Sequence, residues 1–525
     1  MLLDFLKELR KKPTAVAVTV FAAFGGFLYG YDTGTISGIS EMNCFTKTFG
    51  TKQNDGNFSI SQQTKALFVS ILSAGTFFGA LLGFPSSDFL GRRWGVILAC
   101  LIFSIGVACQ TRAQFGDEIL FIIGRVIAGI GIGIISSIIP MYQSECAPKF
   151  IRGAMVSTYQ WFITIGLLTA AIVNNATKCS PGYQCYQIPI GIQIIFGAIL
   201  ALGMYFLPES PRFLVLKGRF SAAYQSQAKL TSRSIDDPLV KQDVQELIDN
   251  TELMKVYGNG TYADCFKMGL QKNRSRTLVG IFLQAWSQLT GINFIFYYGT
   301  TFFRSAAGNP VESAYNNIII VNVVNVVMTI PGVLLIDRLG RRKILIIGAI
   351  GMIISEYIIA IIGVISSKGD QGEKTAYTVF VCIYIGFFAS TWGPTCWVII
   401  GELYPISIRA KAVSLATASN WLFNFLLGFV TPYMMDEKKN HGLGLGPKVF
   451  FIWGTTCVCC LLFAIFCIWE TKGLSLEQVN YLVRNSSPKN SAKLNEQLKR
   501  GIIVENDMDN DDPFTFSNRT VYGTT

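Results

Sequence analysis

Histidine occurs once in the 525 residues, at position 441, and that scarcity removes much chemistry at once. A Cys/His zinc site needs ligands that this chain does not have, and an imidazole base has a single candidate in a polar connecting segment. Charge is scarce as well. Asp, Glu, Lys and Arg make up 15% of residues, against about 25% in ordinary soluble domains. A soluble core this apolar would lack the polar surface to cover it. Acidic residues are the scarcer sign, 33 against 44 basic, for a net charge of +11. The basic excess does not form a nucleic-acid face, because it is scattered over short turns where anionic lipid accounts for it. Cysteine is plentiful, yet Cys100, Cys109, Cys382, Cys457, Cys459 and Cys460 fall inside apolar runs as small packing residues. Cys179 and Cys185 share one polar segment and are candidates for a disulfide.

What the chain has in abundance is long apolar sequence. A helix needs about 20 apolar residues to cross the hydrocarbon core, and twelve segments approach that length, near 14–39, 65–86, 94–111, 119–140, 154–174, 188–207, 278–303, 315–336, 344–366, 376–401, 412–434 and 449–469. The first follows Lys7, Arg10, Lys11 and Lys12 as a signal peptide would, but it is too long and contains Asp32, so it reads as a retained first helix. Turns carrying Arg92-Arg93, Lys149 and Arg152, Arg341-Arg342-Lys343, and Arg409 and Lys411 share one side with the N-terminus. The positive-inside rule then places both termini in the cytoplasm of a multi-pass protein.

The longest polar interruption, 208–276, divides six apolar segments from six. Within it, 222–230 and 239–253 read as short amphipathic helices. The expected fold is an all-α membrane protein of twelve transmembrane helices in two pseudo-symmetric six-helix bundles. The first bundle takes residues 1–207 and the second 277–469; a cytoplasmic helical linker, 208–276, joins them. The tail, 470–525, is rich in Asn, Asp, Ser and Lys and reads as cytoplasmic and largely disordered. Sequons stand at Asn57 and Asn175 in expected external loops, and at Asn259 and Asn273 in the linker. Gly129, Gly131 and Gly133 mimic a dinucleotide loop, but no strand precedes them, so they read as helix contacts.

Two features carry functional information. Asp88-Phe89-Leu90-Gly91-Arg92-Arg93 returns as Asp337-Arg338-Leu339-Gly340-Arg341-Arg342, and Glu145 with Arg152 returns at the same spacing as Glu402 with Arg409. Such repetition indicates two related bundles with a site between them. The second feature is a set of neutral amides with indoles inside apolar runs: Gln160-Trp161, Gln284, Gln288, Asn293, Asn322, Asn325, Trp392, Trp397, Asn420-Trp421 and Asn424. An amide both donates and accepts, which suits a ligand made of hydroxyls, and an indole face covers the C–H side of a sugar ring. Taken one at a time, such amides also serve as helix glue; as a set they favour a ligand.

These residues resemble the sugar porters of the major facilitator superfamily, and fungal hexose transporters most of all, over about 21–477. The motifs are Gly30-Tyr31-Asp32-Thr33-Gly34, Asp88…Gly91-Arg92-Arg93, Gly124-Arg125, Glu145…Arg152-Gly153, Pro208-Glu209-Ser210-Pro211-Arg212, Gln288-Leu289-Thr290-Gly291-Ile292-Asn293, the Asp337 turn, Glu402…Arg409 and Glu470-Thr471-Lys472-Gly473. The resemblance implies a sugar held by Gln160, Gln284, Gln288, Asn293, Asn325, Trp397, Asn420, Trp421 and Asn424. It implies proton coupling through Asp32 and Arg125, although facilitators without protons carry the same aspartate, so symport and facilitated diffusion both stay open. It also implies a cytoplasmic gate of Asp88, Arg92, Arg93, Glu145, Arg152, Glu209, Arg212, Asp337, Arg341, Arg342, Glu402, Arg409 and Glu470, against a plain reading of those charges as solvated loop residues. Ser287 stands where relatives usually have a second glutamine, and Ala389 where some have a carboxylate.

The expected protein is a plasma-membrane monosaccharide transporter, working as a monomer, for glucose or another hexose or xylose. Its partners are the sugar and membrane lipid, with a proton as the open second substrate; no cofactor, metal or nucleic acid is required. A membrane enzyme would need a nucleophile–base pair or cofactor loop that the sequence does not display. A porter-like sugar sensor is the second reading; such sensors usually carry a long cytoplasmic tail, whereas this one is short.

Overall fold

A computed structural model describes residues 13–52, 58–148, 151–257, 261–305, 311–365, 371–405, 407–435, 443–474 and 476–500. Lys7, Arg10, Lys11, Lys12, Lys149, His441, the sequons at Asn57 and Asn259 and the tail beyond residue 500 lie outside the described residues. Helix dominates, because in hydrocarbon every backbone N–H and C=O must find its partner within its own segment. The first half contains α1 (Pro13–Ala22), α2 (Phe24–Ile39), α3 (Asn43–Phe49), α4 (Gln62–Leu90), α5 (Arg92–Arg112), α6 (Glu118–Cys146), α7 (Arg152–Thr177) and α8 (Gln184–Phe206). Short helices α9 (Pro211–Leu216), α10 (Phe220–Thr231) and α11 (Pro238–Tyr257) follow and cover both stretches read as amphipathic. The second half contains α12 (Asn273–Leu289), α13 (Ile292–Ser305), α14 (Val311–Leu339), α15 (Arg341–Ile365), α16 (Gln371–Ser390), α17 (Trp392–Glu402), α18 (Arg409–Met435) and α19 (Val449–Cys467). Helices α20 (Leu476–Asn485) and α21 (Ser491–Lys499) close the chain, and a ribbon of β1 (Thr51–Lys52) with β2 (Phe58–Ser59) follows α3.

Twelve spans result, over the same twelve segments that the sequence predicts. Three are interrupted: α1 and α2 part at Ala23, α12 and α13 at Thr290-Gly291, and α16 and α17 at Thr391. Large apolar side chains such as Phe78, Leu101, Ile105, Ile195, Leu202 and Ile354 face outward, while Asp32, Arg125, Gln284 and Asn424 are buried. That distribution suits lipid outside and a polar interior. Small residues let the backbones approach. A Cβ on Gly26 or Gly30 of α2 would strike the Tyr159 or Ile163 carbonyl of α7; Gly129 and Gly133 of α6 meet α4 in the same way, and Gly131 meets α5. The halves meet where α4 packs on α18 and α7 on α14. The Ser414 hydroxyl, for example, donates to the Ala80 carbonyl across that seam at 2.8 Å.

Two expectations are overturned. Cys185 pairs with Cys44, not with Cys179, which is free and exposed. The cause is aromatic packing: Phe45 and Phe49 of α3 fold back onto Phe68, Phe121 and Tyr186, which sets Cys44 beside the residue preceding Tyr186. The tail is also helical over α20 and α21. Val479, Leu482 and Val483 are buried, and Ser491 and Asn495 bind the Glu470 backbone at 3.0 and 3.1 Å.

Candidate functional site: a cavity between the halves and its charged ends

Between the halves lies a cavity lined by side chains from both. Tyr29 and Thr33 of α2, one turn apart, form one wall together with Gln160, Ile163 and Leu167 of α7. Facing them from the second half are Ser287, Gln288, Ile292, Asn293 and Phe296 around the α12–α13 break, then Phe388, Cys396, Trp397 and Asn420. The break matters because it lets Gln288 and Asn293, five residues apart, reach one cavity; Gly291 supplies the positive φ of 81° that it requires.

Five of the nine residues that the resemblance implies hold the sugar line this space: Gln160, Gln288, Asn293, Trp397 and Asn420. They are already in contact. The Asn293 amide donates to Gln288 Oε1, and the Trp397 indole N–H donates across the halves to Gln160 Oε1 at 3.2 Å. Asn420 Nδ2 donates to Gln284 Oε1 at 2.8 Å and to Ser287 Oγ at 3.4 Å. Gln284, Asn424 and Trp421 therefore stand just behind the wall. Asn424 Oδ1 accepts from Ser73 at 2.6 Å and from Tyr297 at 2.8 Å; Trp421 donates to Ser136 at 3.1 Å and meets the Tyr29 ring at 4.7 Å. Asn325 is buried in α14 away from the wall, and among the described residues neither of its amide atoms has a partner.

Asp32 and Arg125 form a fully buried pair, with Arg125 Nη1 3.2 and 3.1 Å from the two carboxylate oxygens. Arg125 Nε donates to the Phe68 carbonyl at 3.2 Å, so the guanidinium also anchors α6 to α4. Thr33, the next residue after Asp32, lines the cavity.

The repeated turns close into matching clusters on one face. Arg92 donates to both oxygens of Glu145, at 3.0 and 2.9 Å, while Glu209 accepts the backbone N–H of Arg92 and Arg93, each at 3.1 Å. Arg341 grips Glu402 at 3.2 and 2.8 Å, and Glu470 accepts the N–H of Arg341 and Arg342 at 3.0 and 3.2 Å. The roles of Ser210 and Thr471 repeat too, each hydroxyl donating to the pair's glutamate. Gly91 and Gly340 have φ of 90° and 92°, and a Cβ on either would lie 2.5 Å from the Glu209 or Glu470 carboxylate; only glycine fits both demands. Burial pushes the Glu209 carboxyl above its ordinary range, against the pull of the Ser210, Arg93 and Arg92 N–H groups.

Not every gate residue joins these cores. Asp337 does, 3.0 Å from Arg341. Asp88 instead reaches Lys217 at 3.9 Å, half exposed, and Arg409 donates to the Tyr404 carbonyl at 3.2 and 3.1 Å. The ion pairs of Arg92 with Glu145 and of Arg341 with Glu402 and Asp337 each lie within one half. One close approach between the halves is at Gly153 of α7, where a Cβ would lie 3.1 Å from Asp337 and 3.2 Å from Arg341.

The opposite face has a network that the sequence reading missed. Glu41, just beyond α2, accepts from Lys65 at 2.5 Å, Thr301 at 2.6 Å and Arg304 at 3.0 Å. Burial alone would raise its pKa, but the Lys65 ammonium, with Thr301 and Arg304, holds it down at about 2. Glu41 and Lys65 belong to the first half, Thr301 and Arg304 to the second, so this bridge crosses directly. Tyr29, Thr33, Phe296, Phe388 and Cys396 on the wall were also missed; the one-turn spacing of Tyr29, just before the Gly30…Gly34 motif, and Thr33 within it was the available signal. Glu356 of α15 was missed as well. It is fully buried, and among the described residues neither carboxyl oxygen has a hydrogen bond.

Two six-span halves, broken helices around a shared amide-lined cavity and charged contacts at both ends define a membrane porter. The sequence profile of the family described as "Sugar (and other) transporter" matches residues 18–483, and the chain belongs to that family. It is 43% identical over 473 residues to the probable glucose transporter rco-3 of Neurospora crassa, covering 89% of this chain and 78% of that one. It is 42% identical over 501 residues to the high glucose sensor RGT2 of Saccharomyces cerevisiae, covering 94% of this chain and 64% of the sensor's length. Its fold matches the major facilitator proton:xylose symporter XylE of E. coli, bound to 6-bromo-6-deoxy-D-glucose, with a TM-score of 0.77 at 28% identity over 90% of this chain and 99% of that one.

Proposed function

We propose that the protein carries a monosaccharide, glucose or another hexose, across the plasma membrane by alternating access, with the sugar held in the cavity between the halves. The observation that carries this is the convergence of Gln160 from one half with Gln288, Asn293, Trp397 and Asn420 from the other. Sugar hydroxyls exchange donor and acceptor roles with the amides, and the Trp397 indole packs on the ring. One chain supplies both walls, so a monomer suffices. The Cys44–Cys185 bridge supports the orientation. Disulfides persist outside the reducing cytosol, so the face of α3 is external and the Arg-rich turns are cytoplasmic, as the positive-inside rule expects. The two inner clusters act as rigid blocks that meet at Gly153 when the site faces outward and part when it faces inward.

The Asp32–Arg125 pair serves either energetic mode. Intact, it pairs two buried charges and keeps the bundle packed, which is all that a facilitator needs. Opened, it frees the carboxylate to take a proton and couples sugar to the proton gradient. Sugar-induced alkalinisation of weakly buffered medium, measured with the native protein and with Asp32→Asn, separates the two: a proton signal abolished by the substitution means symport, and uptake with no proton signal means facilitation. The similarity to RGT2 supports sensing as the second reading. Labelled glucose uptake in a transporter-deficient cell decides it, and no flux from surface-expressed protein sinks the transport reading.

A further inference from the structure

The break between α12 and α13 is held from behind as well as lined in front. Helix α12 ends at Leu289, and the last carbonyls of a helix have no donor within it. Side chains of α19 and α16 supply the missing donors. The Thr456 hydroxyl donates to the Leu289 carbonyl at 2.5 Å, and the Tyr384 hydroxyl to the Thr290 carbonyl at 2.8 Å. Trp453 of α19 backs Gly291, where a Cβ would lie 2.5 Å from the indole. Helix α13 carries Thr301 and Arg304, which hold Glu41 of the first half, so α13 moves when that bridge opens. Thr290-Gly291 is the point at which its path can bend.

Tyr384 is fully buried, and a shift of the Thr290 carbonyl leaves its hydroxyl without that acceptor in the membrane interior. Glu356 of α15 stands beside the same hydroxyl, together with Cys457 of α19. Glu356 is 0% exposed, and among the described residues neither of its carboxyl oxygens has a hydrogen bond. Asp32, equally buried, has Arg125. An unpartnered carboxyl is costly inside a membrane protein, and such residues there are functional by default. In either protonation state a carboxyl keeps an acceptor oxygen.

We propose that Glu356 is a positioning residue for the alternating movement, the second acceptor of the Tyr384 hydroxyl. With the outer bridge closed, the hydroxyl donates to Thr290. With the bridge open and α13 bent away, it turns to the Glu356 carboxyl. The hydroxyl is then bonded at both ends of the motion, and no buried donor is left alone in either. No proton is transferred. This rests on the reading of the protein as an alternating-access carrier.

Glucose uptake into proteoliposomes containing the purified full-length protein, with the melting temperature measured on the same samples, tests it. Glu356→Gln keeps an acceptor, and its maximal rate is expected within about twofold of native. Glu356→Leu removes the acceptor, and its maximal rate is expected to fall about tenfold, with the melting temperature not lowered. A merely structural carboxyl predicts otherwise, since an apolar side chain in its place stabilises the fold and leaves turnover alone. Tyr384→Phe/Glu356→Leu should be no slower than Tyr384→Phe by itself, because the hydroxyl through which Glu356 acts is already gone. A structure of the native protein opened at the Glu41 face needs no variant, and a hydrogen bond from Tyr384 to Glu356 is expected there. Native turnover in Glu356→Leu, equal losses in Glu356→Gln and Glu356→Leu, losses that multiply in the double variant, or Tyr384 still bonded to Thr290 in the open form overturn the role of Glu356 and leave the transport reading standing. No uptake by the native protein overturns both.

Discussion

The two faces of the molecule are closed by different devices. On the face of the repeated turns, each half builds its own charge cluster, Arg92 with Glu145 and Glu209, and Arg341 with Glu402 and Glu470. The halves meet there through the closely packed Gly153. On the opposite face, bonds among the described residues run from Glu41 of one half to Thr301 and Arg304 of the other. One end thus carries a charge cluster in each half, and the other carries bonds that link the halves directly. Duplication explains the first device, because each copy inherited a complete cluster. No repeated motif is needed for the second.

The comparison is sharpest at the buried arginines. Arg341 holds both Glu402 and Asp337, whereas the ion pair Arg92 makes is with Glu145. Breaking a buried pair by removing one partner costs about 3–5 kcal/mol, so both Arg341→Ala and Arg92→Ala should lower the melting temperature of the purified protein and depress uptake per surface molecule. The loss should be larger for Arg341→Ala, which strands two carboxylates at the seam. Equal losses would remove the distinction between the clusters.

A smaller effect is expected at the outer bridge, since charged hydrogen bonds contribute about 1.5–3 kcal/mol. Glu41→Gln should shift the population toward the outward-open form, read as several-fold faster labelling of Asn322→Cys by a membrane-impermeant thiol reagent in a Cys179→Ser background. An unchanged labelling rate would show that the bridge does not hold the face closed. The smallest effect is a null one. Because the Glu41 pKa is depressed to about 2 from an ordinary 4.5, its contribution is fully present above 4.5 and declines only as pH falls toward 2. The same labelling rate should therefore stay constant from pH 7 to pH 5; acceleration in that window would assign the closure to a group titrating there.

Much of this was readable from the chain. Span positions follow from hydropathy because lipid imposes length and apolarity directly, and the duplicated turns pointed to the matching pairs of Arg92 with Glu145 and Arg341 with Glu402, though not to the separate course of Asp88. What escaped depended on contacts between distant segments. Cys44 finds Cys185 because Phe45 and Phe49 pack on Phe68, Phe121 and Tyr186, and no loop-proximity argument contains that. Glu41 looks like any loop glutamate until α13 brings Arg304 to it. The tail was misread for another reason: its polar composition hid Val479, Leu482 and Val483, whose helical spacing was present in the sequence. Asn424 and Gln284 show the limit for the site itself, since an amide on the wall and one behind it look the same in a helix.

The Cys44–Cys185 bridge bears on biosynthesis. Its ends are 141 residues apart, yet both belong to the first half, and Cys185 opens the sixth span. The bond becomes available once the Cys185 end of that span has been placed, before any residue of α12 is required. Synthesis can then deliver a first half already sealed at its rim, onto which the second half docks. A chain assembled in that order gains a covalent checkpoint for one half while the seam that has to move carries no covalent bond.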